Sequence, residues 1–355
     1  MADTITKRML PRQGSKAAAE QANEVLLSGE FFTETDTGRI KRGDGVTPYR
    51  KLLSFTEEAD IALESADRIY KGQNLAVKFA DEIAGYLDIY EWLQARKAAG
   101  NYKGIHVGDY FTFTSSAGTI GGTNIPAQTF TARIIGIDTH YRAADTDVGH
   151  HIDFCTDQVV DQNVLWNPTD NNNGTSVQSK PWLASNVYAW LNGVNNYTTS
   201  AYNNQAHGGN YDNAGMLQRL PARLQAVIIQ KRNILDDRYS ASGLITGGTG
   251  WGWTDMGKLW LPNEIEVYGT QIRSNLCQTN GYWNPEANLS VQYPWFAASI
   301  TNRIKYMSNG ARASWWLSSA ASLYAGGACS VGHVGTATDN ATTHTFIRVP
   351  LCFRI

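Results

Sequence analysis

The sequence is poor in charged residues and in cysteine. Charged side chains make up 17% of the 355 residues, and the net charge is -2. There is no basic stripe of the kind that nonspecific phosphate binding requires, so we expect no nucleic-acid partner. The four cysteines, Cys155, Cys277, Cys329 and Cys352, form no CxxC motif. Their spacing does not support zinc or dithiol redox sites, and we expect buried, reduced thiols.

Long apolar runs are also missing. No stretch approaches the roughly 18 consecutive apolar residues of a membrane-spanning helix. The opening residues, MADTITKRML, lack the apolar core of a secretory signal. We therefore expect a protein made in the cytoplasm of its host, with no signal peptide and no membrane insertion.

Aromatic residues and glycine are abundant, with 11 Trp, 17 Tyr and 33 Gly. This composition is typical of a loop-rich fold anchored by large side chains rather than of a helical bundle. The length indicates two or three units. We predict an α+β fold, mainly β with many loops, in three zones: 1–55, 56–100 and 101–355.

The first zone, residues 1–55, reads as a small β module. Glu30–Thr35 and Gly38–Arg42 have the pattern of short strands, joined by a turn at Asp36-Thr37-Gly38. So few apolar residues cannot bury a core alone. The pattern therefore predicts assembly with other chains.

The second zone, residues 56–100, is predicted to be a helical connector. Thr56 resembles a helix start, and a later apolar stripe recurs at steps of four and three residues, namely Ala76, Ala80, Ile83, Leu87 and Tyr90. Such a stripe indicates packing in a core or against another chain.

The third zone, residues 101–355, is dense in short strands and turns. Val107–Phe113, Phe130–Ile137 and His151–Cys155 are predicted strands, and helices are predicted at Val187–Leu191 and Leu220–Ile228. Several tryptophans are either sugar-stacking platforms or core anchors, and the core is favoured for most of them: Trp251, Trp253, Trp260, Trp295, Trp315 and Trp316.

Residues that would support an enzyme or a metal site are scarce. No GxSxG, HExxH or phosphate-loop motif occurs. The carboxylate pairs Asp236-Asp237 and Asp145 with Asp147 are sequence neighbours, which does not fix the separation that glycoside hydrolysis needs. His150 and His151 precede Asp153 and follow His140, but adjacent strand residues point to opposite faces. We therefore predict no catalytic residues, no metal and no cofactor.

The C-terminal stretch frames a bland segment between two apolar ones. Trp315–Leu317 and Phe346–Phe353 read as buried strands, whereas 318–345 contains no Lys, Arg, Glu, Gln, Met or Trp. Rigid strands that flank small polar residues are suited to displaying a binding surface.

The N-terminal zone resembles a known assembly module. Glu34 to Pro48 follows the pattern E-x-D-T-G-R-I-K-x-G-D-G-x-T-P. The pattern is similar to the N-terminal module of phage tail-fibre and tropism-determinant proteins. That resemblance implies a trimeric β-prism that attaches or assembles the fibre.

The third zone resembles a domain common in phages of gut bacteria. The resemblance rests on seven short stretches: Ile105–Tyr110, Ala132–Asp138, His150–Ile152, Gly250–Trp253, Leu259–Gly269, Trp316–Leu317 and Arg348–Pro350. Such domains are similar to the C-type-lectin fold, and several are variable proteins of diversity-generating retroelements. There, mutation of adenines in AAC codons cannot yield Lys, Glu, Gln, Met or Trp, which agrees with the composition of 318–345.

These resemblances imply a homotrimeric receptor-binding protein of a phage tail fibre, located in the virion tail. The missing catalytic motifs predict that it is not an enzyme. Its partners would be a bacterial surface receptor (glycan or protein) and other tail proteins. The candidate receptor-binding residues are Ser322, Leu323, Tyr324, Ala325, Ser330, Gly332, His333, Thr336, Thr338, Asp339, Asn340, Thr342, Thr343 and His344. The sugar-binding signatures of calcium-dependent lectins are absent, so no calcium site is expected. Two alternatives remain, a fibre-borne glycan depolymerase and a structural fibre or baseplate component.

Overall fold

The computed structural model describes residues 12–55, 71–141, 145–194, 211–274, 290–322 and 324–355. The chain forms two compact units, Met1–Tyr70 and Lys71–Ile355. The fold is mixed α+β and mainly β, with several sheets and few helices, as predicted. No helix in the described ranges has the length and apolarity needed to cross a bilayer.

The smaller unit is built on one three-stranded sheet. Its strands are β1 (Arg12–Gly14), β2 (Phe31–Glu34) and β3 (Ile40–Arg42), with helix α1 (Lys16–Ala22) after β1. β1 runs parallel to β2, and β2 runs antiparallel to β3. The two predicted strands and their connecting turn are thus confirmed.

The turn after β3 explains the glycine–aspartate–glycine part of the sequence motif. The Asp44 carboxylate accepts hydrogen bonds from the backbone N–H of Val46 and of Thr47 and from the Thr47 hydroxyl. A Cβ at Gly43 would lie 2.3 Å from the Leu27 carbonyl oxygen, so only glycine fits there. The motif residues therefore determine a backbone turn.

The core of the smaller unit is small. It consists of Leu26, Phe32, Tyr49 and Leu52. Lys41 is buried with its ammonium 4.4 Å from the centre of the Tyr49 ring, and the Tyr49 hydroxyl donates to Glu34 at 2.7 Å. A cation–π contact and a charge-assisted hydrogen bond thus supplement a minimal apolar core.

The predicted helical connector is wrong in its extent. Residues 75–98 form three short helices, α2 (Leu75–Lys78), α3 (Ala80–Ile83) and α4 (Ile89–Ala98), and they pack into the core of the larger unit through Leu75, Phe79, Trp92 and Leu93. Leu87, a member of the predicted stripe, is 77% exposed. A new helix begins at Asp88, whose side chain accepts a hydrogen bond from the Glu91 N–H and caps the helix. The residues of the predicted apolar stripe therefore do not share one helix face. Residues 56–70, including the predicted start at Thr56, lie outside the described part.

The larger unit contains most of the strands. They are β4 (Tyr110–Ser115), β5 (Gly118–Ile120), β6 (Thr123–Ile125), β7 (Gln128–Ile137), β8 (Ile152–Val159), β9 (Arg232–Asp237), β10 (Gly250–Asp255), β11 (Leu259–Trp260), β12 (Lys305–Tyr306), β13 (Arg312–Ala313), β14 (Trp315–Ala320), β15 (Gly327–Val331), β16 (Ala337–Ala341) and β17 (Pro350–Arg354). The remaining helices are α5 (Pro181–Ala184), α6 (Asn186–Asn192), α7 (Ala222–Val227), α8 (Glu264–Tyr268) and α9 (Pro294–Ala298).

The main sheet has seven strands, and β8 is central to it. β8 pairs antiparallel with β7 on one side and with β17 on the other. β4 extends the sheet beyond β7, and β11 extends it beyond β17. The strands predicted near Phe130–Ile137 and His151–Cys155 and both predicted helices are confirmed, with shifted ends.

One hydrophobic core fills the larger unit, and several buried tryptophans in it donate their indole N–H to backbone carbonyl oxygens. The Trp316 indole N–H donates to the Val164 carbonyl oxygen at 2.8 Å, and the Trp166 indole N–H donates to Leu317 at 3.2 Å. Trp260, Trp315 and Trp316 are fully buried, which confirms their prediction as core anchors. Trp295 packs against the same core, whereas Trp251 and Trp253 are half-buried.

The predicted apolar strand Phe346–Phe353 begins later than expected. Phe346 is 71% exposed, and β17 starts at Pro350. The two apolar stretches that flank the bland segment also belong to different sheets, since β14 pairs with β15 and β17 pairs with β8. They meet at Arg348, whose carbonyl accepts from the Trp316 N–H at 3.0 Å.

Candidate functional site

Segment 318–345 forms most of a separate three-stranded antiparallel sheet, not a long loop. β14 pairs with β15, and β15 pairs with β16. β15 is the middle strand, and all five of its residues are buried. β14 and β16 are the two outer strands, and all five residues of β16 are half-buried. The segment therefore has a buried inner strand and a solvent-facing outer strand.

Two of the predicted receptor-binding residues are buried and cannot contact a receptor directly. Ser330 lies in the middle of β15 at 0% exposure, where its hydroxyl accepts from the Asn340 amide at 2.7 Å. Thr342, also at 0%, donates through its hydroxyl to the Thr169 carbonyl at 2.7 Å. The prediction was wrong at these positions because composition cannot distinguish a small residue in a strand interior from one at a surface.

The turn between β15 and β16 is the exposed tip of the segment. His333, Val334 and Thr336 are exposed there. The Gly332 N–H donates to the Thr336 carbonyl and the Gly335 N–H donates to Gly332, both at 2.8 Å. The backbone is therefore tightly closed while its side chains face solvent.

The loop between β14 and β15 presents Tyr324, which is 43% exposed. Buried side chains hold its backbone. The Asn172 amide nitrogen lies 3.1 Å from the Ala321 carbonyl oxygen and 2.8 Å from that of Tyr324. Arg238 donates to the same Ala321 carbonyl at 2.8 Å. Groups outside the segment thus fix the shape of this loop.

A second buried anchor supports the same loop from another side. The Glu264 carboxylate accepts the backbone N–H of Ile272, Arg273 and Ser274 at 2.7–3.0 Å. The Arg273 carbonyl in turn accepts the N–H of Ser322 at 3.0 Å and its hydroxyl at 3.1 Å. A single carboxylate therefore positions a neighbouring loop on which the segment rests.

Most of the remaining candidate residues are neither fully buried nor fully exposed. Half-buried positions are Ser322, Ala325, Gly332, Thr338, Asp339, Asn340, Thr343 and His344. Leu323 lies outside the described residues. Asp339 is 3.5 Å from the Arg273 guanidinium, and the Thr343 hydroxyl donates to Asp170 at 2.6 Å.

Two exposed apolar side chains at the site were missed by the prediction. Val334 is 43% exposed and Phe346 is 71% exposed, with the Phe346 ring 5.8 Å from the His344 ring. The predicted receptor-binding residues do not include Val334, and Phe346 was predicted to lie in a buried strand. Pro350 has no backbone N–H to donate within a sheet, so it can begin a strand but rarely lies inside one. It therefore indicated that the strand begins at Pro350, four residues after Phe346.

A buried polar cluster lies under the main sheet, and it tests the metal prediction. His140, His151 and Asp153 bring ligand-type atoms within 4.8 Å of one another. His150 instead lies on the opposite side, 43% exposed, with its Nδ1 atom 2.7 Å from Asp138. The two adjacent histidines therefore do face apart, as predicted.

Protein groups already engage the ligand atoms of this cluster. His151 Nε2 accepts the His140 backbone N–H at 3.2 Å, and its Nδ1 lies 2.9 Å from the Gly149 carbonyl oxygen. Arg354 donates to both oxygens of Asp153, at 2.7 and 2.8 Å, and Tyr293 donates to the same carboxylate at 3.0 Å. A dication bound to His151 and Asp153 would have to displace these contacts.

The cluster is an ion-pair network whose charges balance. The Lys231 ammonium contacts Glu266, which lies 3.3 Å from His140. Burial would raise the pKa of Asp153, but the charge of Arg354 and its hydrogen bonds hold that pKa well below its usual value. Burial likewise opposes ionisation of Glu266, yet Lys231 lowers its pKa to about 2. Burial lowers the pKa of His151, which favours the neutral ring.

The carboxylate pairs noted in the sequence are also bound by other side chains. Arg232 donates to both oxygens of Asp145, at 2.7 and 2.8 Å. Asp237 accepts from Lys180 at 3.2 Å and from the Ser179 hydroxyl. Burial raises the pKa of Asp236. Asp145 and Asp237 therefore take part in ion pairs with neighbouring basic side chains.

Comparison with protein families places this chain in one of them. Residues 157–355 match the model described as "Domain of unknown function (DUF6273)", and the chain belongs to that family. The matched region contains β14–β16 and the buried groups that hold them. No curated protein and no solved structure matches the chain.

Proposed function

We propose that this chain is a receptor-binding protein of a phage tail fibre. Its binding surface would be the solvent-facing part of segment 318–345. The observation that carries the proposal is the contrast within that segment: β15 is buried on both faces, whereas the turn at His333–Thr336 and the Tyr324 loop project side chains to solvent. The backbone of the Tyr324 loop is held from outside the segment by Asn172, Arg238 and Glu264. The turn is closed by its own backbone hydrogen bonds.

The exposed side chains suit recognition of a bacterial surface. Tyr324 and His333, with Phe346 directly after the segment, offer aromatic area. The exposed Thr336 and the half-buried Asp339 offer hydrogen-bonding groups. Aromatic residues contribute much contact area at a low cost in side-chain entropy. The receptor would be a glycan or a protein on the host.

The difference between buried and exposed positions in segment 318–345 also limits which of its residues could be diversified. Free variation is compatible with exposed positions such as Tyr324 and His333, but not with the fully buried Ser330 and Thr342. If a retroelement template exists, we expect its variable adenines at codons for exposed positions and not at codons 330 and 342. Variable adenines at these two codons would contradict this assignment of the surface.

The smaller unit supports the proposal of a trimeric fibre. Beside its four-residue core it exposes six large apolar side chains, namely Val25, Leu27, Phe31, Ile40, Val46 and Phe55. Phe31 and Phe55 lie 6.2 Å apart. Exposed apolar surface of this kind marks a protein interface. We propose that it forms the trimer contact of a β-prism-like module that joins other tail proteins, and that the larger unit is C-type-lectin-like.

The test compares two matched triple variants. The first variant changes three residues of the proposed surface to alanine, namely Tyr324, His333 and Thr336. The second changes three exposed residues of the same types elsewhere in the larger unit, namely Tyr86, His150 and Thr119. Adsorption of the labelled protein is measured on a panel of gut bacterial isolates. We expect the first variant to lose about tenfold or more of its adsorption, since central aromatic contacts dominate interface energies, and the second to keep it. Equal adsorption by both variants would exclude the proposed surface.

The two alternative functions give different outcomes. A depolymerase would release oligosaccharides from host polysaccharide and lose that activity on replacing a pair of carboxylates. A structural fibre component would bind no isolate, and antibodies against 318–345 would fail to reach the segment in intact virions.

A further inference from the structure

A cleft of about 410 Å³ lies in the larger unit, and none of its lining residues belongs to segment 318–345. Its apolar lining includes Ile120, Val164 and Leu165, and its aromatic lining is Trp190 and Tyr211. Amide and hydroxyl side chains complete it: Gln162, Asn163, Asn186 and Thr123. The volume is within the range of about 300–1,000 Å³ that is usual for small-ligand sites.

The aromatic lining is held in place by the surrounding structure. The Tyr211 hydroxyl donates to the Asn186 side-chain oxygen at 2.7 Å, and the Asn186 amide donates to the Leu165 carbonyl at 2.8 Å. Gly121 leaves room for the ring, since a Cβ there would lie 2.5 Å from a Tyr211 ring carbon. Trp190 is 5% exposed and lies on helix α6. The cleft is therefore preformed.

One polar group in the cleft lacks a partner. The Asn163 side-chain oxygen is buried and accepts no hydrogen bond in the described chain. Buried acceptors are nearly always satisfied, so this oxygen would accept a hydrogen bond from a water molecule or from a ligand in the cleft. Asn163 lies beside Gln162, whose amide donates to the Asn163 carbonyl at 3.2 Å. The two side chains offer both donors and acceptors.

We propose that this cleft binds a neutral saccharide, either free or as the terminal unit of a glycan. A sugar ring combines an apolar C–H face, which packs on aromatic rings, with hydroxyl groups that both donate and accept hydrogen bonds. Tyr211, which is half-buried, provides the first type of contact, and the amides of Asn163 and Gln162 provide the second. None of the described lining residues carries a formal charge at neutral pH, so the site has no group that would pair with a charged sugar.

This site is independent of the receptor-binding surface proposed above. Saccharide binding in the cleft requires no contribution from Tyr324 or His333. The alanine variant at Tyr324, His333 and Thr336 should therefore bind saccharide as the wild-type chain does, whether or not it has lost adsorption to cells. Failure of one proposal leaves the other open to its own test.

The experiment measures saccharide binding to the full chain by saturation-transfer NMR and calorimetry. The probes are glucose, galactose, mannose, N-acetylglucosamine and their disaccharides, with glucuronate and sialic acid as charged comparisons. A glycan array with the same sugars as chain ends distinguishes the free from the terminal form. The cleft variants are Asn163→Ala, which removes the unpartnered acceptor, and Thr123→Trp, which fills the mouth from an exposed position. The control is Asn124→Ala, an exposed amide outside the lining.

We expect a neutral sugar to bind, with affinity reduced about 3- to 10-fold by Asn163→Ala, since one hydrogen bond is lost. Thr123→Trp should abolish binding, and Asn124→Ala should leave it unchanged. Melting curves check that each variant is folded, and Thr123→Trp keeps the test valid if Asn163→Ala is unstable. The absence of binding to every neutral sugar, binding that survives both cleft variants, or a preference for the charged sugars would each overturn the proposal.

Discussion

Asp153 is the residue on which three buried groups converge. Arg354, Tyr293 and His140 all lie within 4 Å of its carboxylate, and the residue is fully buried. Removing one member of a buried ion pair leaves the other charge unpaired in a region of low dielectric. The importance of Asp153 for stability follows from this geometry and not from its place in a strand.

We predict that Asp153→Asn lowers the free energy of unfolding at pH 7 by about 3–5 kcal/mol because Arg354 loses its counter-charge. Denaturant unfolding measures the change. Asp147→Asn is the matched control, since Asp147 is exposed and its substitution should change stability by less than about 0.5 kcal/mol. Equal stability of the two variants would argue against a network of this strength.

The same network predicts a pH dependence. The folded-state pKa values of Asp153 and Glu266 are depressed, so the unfolded chain binds more protons as the pH falls below about 4–5. The free energy of unfolding should therefore decrease as the pH falls through this window toward pH 2. His151 adds a decrease that begins near pH 6.5, because burial keeps its folded form neutral while the unfolded form protonates. Urea unfolding at pH 7, 5 and 3 should show this fall, and a smaller one for Asp153→Asn.

Among the elements, the β14–β15 loop depends on side chains far away in sequence. Asn172 is fully buried, and its amide lies within hydrogen-bonding distance of three loop carbonyls, those of Ala321, Tyr324 and Gly327. Its backbone N–H donates to Ala325 at 2.6 Å. The loop backbone is therefore held by residues outside the segment, and the Tyr324 side chain remains 43% exposed.

We predict that Asn172→Ala destabilises the larger unit by about 1–3 kcal/mol, since it leaves buried carbonyls unsatisfied. Hydrogen exchange should accelerate most in 321–327, and adsorption to cells should fall although no surface residue has changed. Asn124→Ala again serves as the control. Unchanged exchange in the loop would show that Asn172 does not determine its shape.

The pattern of strands and helices illustrates what local sequence could predict at this scale. The helix at 186–192 was recognisable because its cap, Ser185, and its glycine stop, Gly193, are local signals. The stripe at 76–90 misled because its spacing continued across the break at Asp88. The inner strand β15 was not recognised, since Gly-Ala-Cys-Ser-Val has no alternation when both faces are buried.

At the scale of the whole molecule, the exposed apolar side chains of the smaller unit favour assembly with other chains. Phe31 and Ile40 lie on the outward face of the β2–β3 hairpin, opposite the buried Phe32 and Lys41. Exposing them in a monomer would be unfavourable, and burying them between chains removes that apolar area from water.

We predict a trimer for the wild-type chain in light scattering coupled to size exclusion. Phe31→Ser with Ile40→Ser should shift the population toward monomers, because the change removes apolar contact area without touching the core of the unit. Val177→Ser, at a position 71% exposed in the larger unit, should leave the mass unchanged. A monomeric wild-type chain would contradict the proposed fibre architecture.

The sequence by itself determined the mainly β character, the turn at Gly43–Gly45 and the buried role of Trp315–Leu317, since periodicity, glycine requirements and large apolar side chains act locally. Only the tertiary structure decided which residues of 318–345 face solvent. Ser330 and Thr336 are both small hydroxyl residues, and local preference does not predict their burial, since the β-branched threonine lies in the turn and the serine in the strand. Ser330 is buried because β15 lies between two neighbouring strands, whereas Thr336 is exposed. The convergence of His140, Asp153, Glu266 and Arg354 was likewise out of reach, because these residues are brought together by long-range pairing of β8 with β17 and by the packing of α8.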